Sequence, residues 1–279
     1  PFSGIFGTYL LPNNHPDPAV RLRQLLEAVK LVFSSIYSDN SRIYFEAINF
    51  KVEQEKMAVV IQSVVGNSYG DIFYPHISGT AQSFNFYPVA NMTPHDGFAV
   101  VAVGLGQYVL DGERAFRFSP SYPSLDIVSI DDLSSHSQLD FYALNMAESD
   151  VDLLRGESAS LVKLGISRAE ADGTLQHSAS VLSADNDTLT PGLYNPGPRV
   201  VNFADILKYD FIPLASTLRK VLEVTREAFG APVEIEFAVD LTKDDVDKAS
   251  FYLLQVKPLV GSGAGYSIDP ESLSAEDMI

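Results

Sequence analysis

A chain of 279 residues, 46% of them hydrophobic, has the length of one large domain or two modest ones and can bury a sizeable core. Its formal charge of −17, from 36 acidic against 19 basic residues, argues against nucleic acid or anionic membrane as a partner, although a small anion can still be held by a local cluster of donors. The absence of cysteine excludes disulfides and thiolate-bound zinc and fits a cytoplasmic location, and no run approaches the roughly 18 to 20 apolar residues that span a bilayer.

In chain order, Asp17-Pro18 is a helix start, an N-cap acceptor followed by proline at the first helical position. Leu22, Leu25, Leu26, Val29, Phe33 and Ile36 then recur at helical spacing, predicting an amphipathic helix to about Tyr37. Residues 57–65 (MAVVIQSVV) read as a buried strand. Residues 79–88 and 98–103 read as two more, with Phe84, Phe86 and Tyr87 as strand core. The second leads into the glycine turn Gly104-Leu105-Gly106-Gln107. Residues 119–200 are the least periodic part, with a helix near Leu133–Leu154 and a loop at 190–199. Leu214, Leu218, Val221, Leu222 and Phe229 mark a helix that stops at Gly230. In 233–239, Val233, Ile235, Phe237 and Val239 share one face, and Glu234, Glu236 and Ala238 the other. Residues 251–257 form a last strand with Phe251, Leu253, Gln255 and Lys257 on one face. Strands mixed with helices give an α+β or α/β domain. The start on Pro1 and the Gly/Ser-rich, then acidic, stretch 261–279 read as a piece of a longer protein ending in a linker.

The last two strands are close enough in sequence for a hairpin. If Asp240 lies opposite Phe251, Glu236 faces Gln255 and Glu234 faces Lys257, which clusters four polar groups on one face. Two carboxylates and an amide oxygen suit Mg²⁺, and a lysine beside them can neutralise charge on phosphates. The same pattern also suits a solvated hairpin face with two cross-strand pairs. His15, His76, His95, His136 and His177 have no metal-ligand spacing and read as surface or turn residues.

The string Glu234-Ile235-Glu236-Phe237, then Leu254-Gln255-Val256-Lys257-Pro258, resembles the closing segment of the nucleotide-binding domain in the phosphoenolpyruvate synthase and pyruvate phosphate dikinase family. That family reads acidic-Ile-Glu-aromatic, then Leu-Gln-x-Arg. Three further segments fall in the family's order. Residues 1–8 (PFSGIFGT) resemble the glycine loop over the ATP phosphates, residues 60–65 (VIQSVV) the strand and hinge that contact adenine, and Ser78-Gly79-Thr80 with Gly104-Leu105-Gly106-Gln107 two stretches lining the site.

The resemblance implies an α+β ATP-grasp fold, truncated at its N-terminal side, with a mixed, mostly antiparallel sheet and flanking helices. Residues 1–65 would be the remainder of the N-terminal lobe. Residues 66–260 would be the C-terminal lobe with an insertion at about 119–200, and 261–279 a linker. It further implies Mg²⁺ and ATP as cofactors, with Glu236 and Gln255 as magnesium ligands and Glu234 and Lys257 acting on metal and phosphates. Gln62, Ser63, Val64 and Val65 would frame adenine, and Gly4, Gly79, Thr80 and Gln107 would line the nucleotide. Phosphate would pass to a histidine on a swivelling domain, and from there to a pyruvate/PEP-type domain, both of the same parent chain.

Lys257 in place of arginine and Gln107 in place of glutamate depart from the family, as does the absence of an upstream phosphate-binding lysine and Arg-Ser-Ser segment. They imply that this chain alone does not transfer phosphate. An antibiotic or glucan dikinase-type acceptor is compatible with the same domain, and a degenerate ATP-grasp serving as a binding or interaction module is the rival reading. A plain structural protein would lack a cleft beside Glu236 and Gln255.

Overall fold

The structure, a computed structural model, describes residues 5–47, 49, 51–125, 129–183, 187–241 and 249–259. Helices α1 (Pro18–Ser34) and α2 (Asp39–Ala47) come first. Strands β1 (Asn67–Tyr69), β2 (Ile72–Tyr74), β3 (Ile77–Gln82) and β4 (Phe98–Ala102), helix α3 (Gln107–Leu110) and strand β5 (Phe116–Phe118) follow. The middle of the chain holds α4 (Ile130–Ser135), β6 (Asp140–Asn145), β7 (Leu161–Gly165), α5 (Ile166–Ala171), β8 (Ala179–Leu182), β9 (Leu189–Pro191), β10 (Arg199–Val201) and α6 (Ala204–Leu207). Helix α7 (Leu214–Phe229) and strands β11 (Val233–Asp240) and β12 (Ser250–Pro258) close it.

Among the described residues the strands form three sheets, of order β12-β11-β3-β4-β5, β1-β2-β6-β7 and β10-β8-β9, and every pairing is antiparallel. This is an α+β fold. One core cluster joins all three sheets, with Tyr74, Phe141, Val201 and Phe237 among its buried members. Helix α7 closes one face of the five-stranded sheet through Leu214, Leu218 and Leu222, spaced so that one stripe of the helix is buried. It ends at Gly230, whose φ of 66° is the left-handed conformation that glycine adopts without a Cβ penalty.

Several sequence expectations are corrected. Residues 57–65 hydrogen-bond to no strand among the described residues, and Val60 and Ile61 are 81% and 64% exposed. A β-branched apolar run is only half of a strand; the other half is a ladder partner. Strand β3 ends at Gln82, so Phe84, Phe86 and Tyr87 lie beyond it, with Phe86 and Tyr87 exposed. The segment read as a helix at 133–154 carries strand β6, whose Phe141, Ala143 and Leu144 are buried. In 190–199, both ends of the expected loop enter short strands. Helix α1 starts at Pro18 as expected, Asp17 Oδ1 accepting the Ala19 N–H at 2.8 Å. Its buried positions, however, are Gln24 and Ala28, while Leu22, Leu26 and Phe33 are exposed.

Candidate functional site

The hairpin of β11 and β12 has the expected register at one end. Glu234 pairs with Lys257 and Glu236 with Gln255. Between Glu236 and Phe237 the register shifts by one residue, leaving Leu254 unpaired as a β-bulge, so that Asp240 pairs with Ser250 and not with Phe251. The shift also turns Phe251 to the core face, where its ring stacks on Phe237 with centroids 5.3 Å apart, and sets Leu253 opposite Phe237; Phe251 and Leu253 therefore do not share a face with Gln255 and Lys257. The burial of β11 alternates from Val233 to Phe237, and then Ala238, placed with the glutamates by its alternation, is buried as well.

The polar face extends across three strands. Strand β3 pairs with β11 so that Gln82 lies beside Glu234 and Thr80 beside Glu236. Lys257 Nζ stands 2.7 Å from Glu234 Oε1 and 3.1 Å from Glu236 Oε1, and Gln82 Nε2 donates to Glu234 Oε2. The side chains of Glu234, Lys257 and Glu236 are 16%, 18% and 22% exposed, which removes most of the screening that makes a surface ion pair weak. Burial alone would pull the Lys257 ammonium down, but hydrogen bonds and charge from Glu234 and Glu236 hold it above the ordinary lysine value. Gln255 is exposed at the rim.

The same register places Arg117 in the row of Gln255, Glu236, Thr80 and Val100. Its guanidinium lies 3.8 Å from the centre of the Phe98 ring and donates to Asn85 Oδ1 at 3.1 Å. Neither Gln82 nor Arg117 stands out in the sequence: Gln82 comes into view only once β3 is set against β11, and Arg117 only once the five strands of the sheet are set side by side.

Next to this face lies a cleft of about 530 Å³, within the size range of small-molecule sites. Its lining runs from Gln62 through Gly66 and, on the hairpin, takes in Asp240 and the β12 residues Phe251, Tyr252, Leu253 and Leu254. The cleft thus ends on Leu254, and the polar face begins at the next residue, Gln255. Behind the cleft, Asp240 Oδ1 stands 3.5 Å from Nδ1 of His76, the nitrogen that accepts the Leu241 N–H at 3.2 Å. His76 is 4% exposed, a core histidine rather than the surface or turn residue expected. His177 is likewise partly buried, paired with Asp205 and stacked on Phe211.

The remaining expected site residues are placed differently. Gly79 pairs with Phe237 and lies on the core side of the sheet. A Cβ there would stand 2.4 Å from Val100 O and 2.9 Å from Phe237 Cζ, so glycine is required for packing. Gln107 begins α3, and its amide donates to Asp111 Oδ1 at 2.6 Å. Gly4 and the linker at 261–279 lie outside the described residues.

Among the described residues, no group of three or more His, Cys, Asp or Glu side chains converges as a metal site. The donors that do converge, Glu234 and Glu236 with Gln255 and Thr80 in register, are all oxygen and suit a hard cation. No helix among the described residues is long and apolar enough to cross a membrane.

An antiparallel α+β sheet that carries a cleft of ligand size and, beside it, a carboxylate–lysine face is an arrangement suited to a nucleotide. The chain belongs to the family described as pyruvate phosphate dikinase, AMP/ATP-binding domain, an ATP-grasp-type domain, whose model matches residues 1–273. No curated protein matches the chain.

Proposed function

We propose that this chain belongs to the ATP-binding domain of a multidomain phosphotransferase, with adenine in the cleft and the polyphosphate across the polar face. The observation that carries this reading is continuity: the cleft ends at Leu254 and the carboxylate–lysine face starts at Gln255, on one strand. Gln62, Ser63, Val64 and Val65 offer backbone donors and acceptors on one wall of the cleft, and Leu253 and Leu254 an apolar surface on the other. Lys257 and Glu234 act at the phosphates, and Thr80 and Arg117 flank them in register.

Glu236 and Gln255, supported by Glu234, would hold Mg²⁺. The ion supplies charge neutralisation and orientation for the phosphates when bound. In a phosphotransferase of this family, the phosphate goes to a histidine on a swivelling domain and then to a pyruvate/PEP-type domain, both in the parent chain. We place the chain in the cytoplasm, with binding of the nucleotide as its own part in the reaction.

A second reading is a non-catalytic nucleotide-binding module. It is favoured by Gln107, whose amide is engaged by Asp111, and by Lys257, engaged by both glutamates. Calorimetric titration with Mg·ATP tests the first step of either reading: saturable binding at millimolar affinity or tighter is expected, and its absence would refute nucleotide binding by this chain. Phosphohistidine on a swivelling domain supplied together with an upstream-extended chain would then favour the phosphotransferase over the module.

A further inference from the structure

Lys257 makes contact with one oxygen of each glutamate, at 2.7 and 3.1 Å, on the two carboxylates that offer the best ligands for a hard cation. An ammonium has three donors and no acceptor, and two of the three are used here. The other oxygen of Glu234 accepts a hydrogen bond from the Gln82 amide, so neither of its oxygens is without a donor. The two carboxylates, both more than three-quarters buried, therefore carry their counter-charge on a side chain of the same hairpin.

A divalent cation arriving alone would meet that ammonium at contact distance and would have to expel it into solvent. A divalent cation arriving with a polyphosphate brings a new anionic partner for the ammonium. We propose that Lys257 is a built-in counter-ion that closes the Glu234–Glu236 pair to free divalent cations and yields it to a cation accompanied by a polyphosphate. The second half rests on the nucleotide reading above; the first half does not. An arginine at this position is broader and more weakly hydrated, whereas the compact ammonium of lysine fits between two carboxylates as a point charge.

The test is Mn²⁺ binding to the nucleotide-free chain, read from the electron paramagnetic resonance signal of the free ion. Lys257→Met keeps the side-chain length and removes the charge. It is expected to bind Mn²⁺ at least about tenfold more tightly than the wild type, a coupling of ordinary size. The gain is expected to vanish in Lys257→Met/Glu236→Gln. Equal or weaker binding by Lys257→Met, or a gain that survives the second substitution, would overturn the proposal.

The ¹⁵N resonance of the Lys257 ammonium in the wild-type chain provides a measurement that needs no variant. It is expected to stay unmoved by Mg²⁺ alone and to shift with Mg²⁺ and ATP together, whereas a shift with Mg²⁺ alone contradicts the counter-ion role. A Lys257→Met gain without any response to nucleotide keeps the counter-ion role and refutes the nucleotide reading instead.

Discussion

Glu234 and Lys257 face each other across β11 and β12, with Oε1 and Nζ 2.7 Å apart and most of each side chain shielded from solvent. Cross-strand partners are held at a fixed separation by the ladder, so the pair costs less side-chain ordering than a surface bridge between two long side chains. Gln82 on β3 fixes the second oxygen of Glu234, which orients the carboxylate from its other side. The charged face is therefore preorganised before any ligand arrives.

The cleft beside this face has room for a base, and Ser63 is an exposed member of its wall. Ser63→Trp is expected to fill the cleft and weaken nucleotide binding by at least about tenfold, ~1.4 kcal/mol. As an exposed substitution away from the core, it should alter folding stability by no more than about 0.5 kcal/mol. Calorimetry alongside thermal melting reads both quantities.

Leu218 is fully buried on α7 against the sheet that carries the site. Leu218→Ala is expected to lower stability by about 2–5 kcal/mol, the range for deleting a large aliphatic side chain from a packed core. Urea unfolding should show a lower midpoint with an unchanged slope.

Glu170 on α5 is tied to Arg199 on β10, Arg199 Nη2 lying 2.6 Å from Glu170 Oε1. Hydrogen bonding to Arg199 holds the Glu170 carboxyl below its ordinary value. A depressed carboxyl pKa stabilises the fold above the unfolded-state value of roughly 4.3, and this stability is lost as the pH falls through the folded-state value. Glu170→Gln is thus expected to lower the melting temperature near pH 7, and the gap to the wild type should close as the pH drops below about 4. A gap of constant size would show that the ionised pair is not its source.

Much of the hairpin was legible because strict alternation and a short connection fix which residues face each other. The bulge was not, since Leu254 sits in an apolar run, Tyr252-Leu253-Leu254, with no glycine or turn residue to mark an extra position. Residues 57–65 have the pattern of a buried strand without forming one, because periodicity reports propensity and not whether a partner strand is present. For α1, spacing gave the helix and its start, but not that Gln24 would turn inward, where its amide donates to Ser149 O at 2.9 Å. Gly79 is expected to line the nucleotide, whereas the close packing of Phe237 and Val100 explains why it is glycine. Among the site residues, those on one hairpin could be paired from sequence alone, but those brought in by β3 and β5 required the sheet order.

Glu236 joins the two parts of the site, since it belongs to both the lysine-bridged pair and the row that reaches Thr80 and Arg117. The measurement is calorimetric titration of the wild-type chain and Glu236→Ala with Mg·ATP. Saturable binding by the wild type is expected, weakened at least about tenfold by the substitution, or ~1.4 kcal/mol. Equal affinity in a folded Glu236→Ala chain would place the nucleotide away from this face and contradict the assignment.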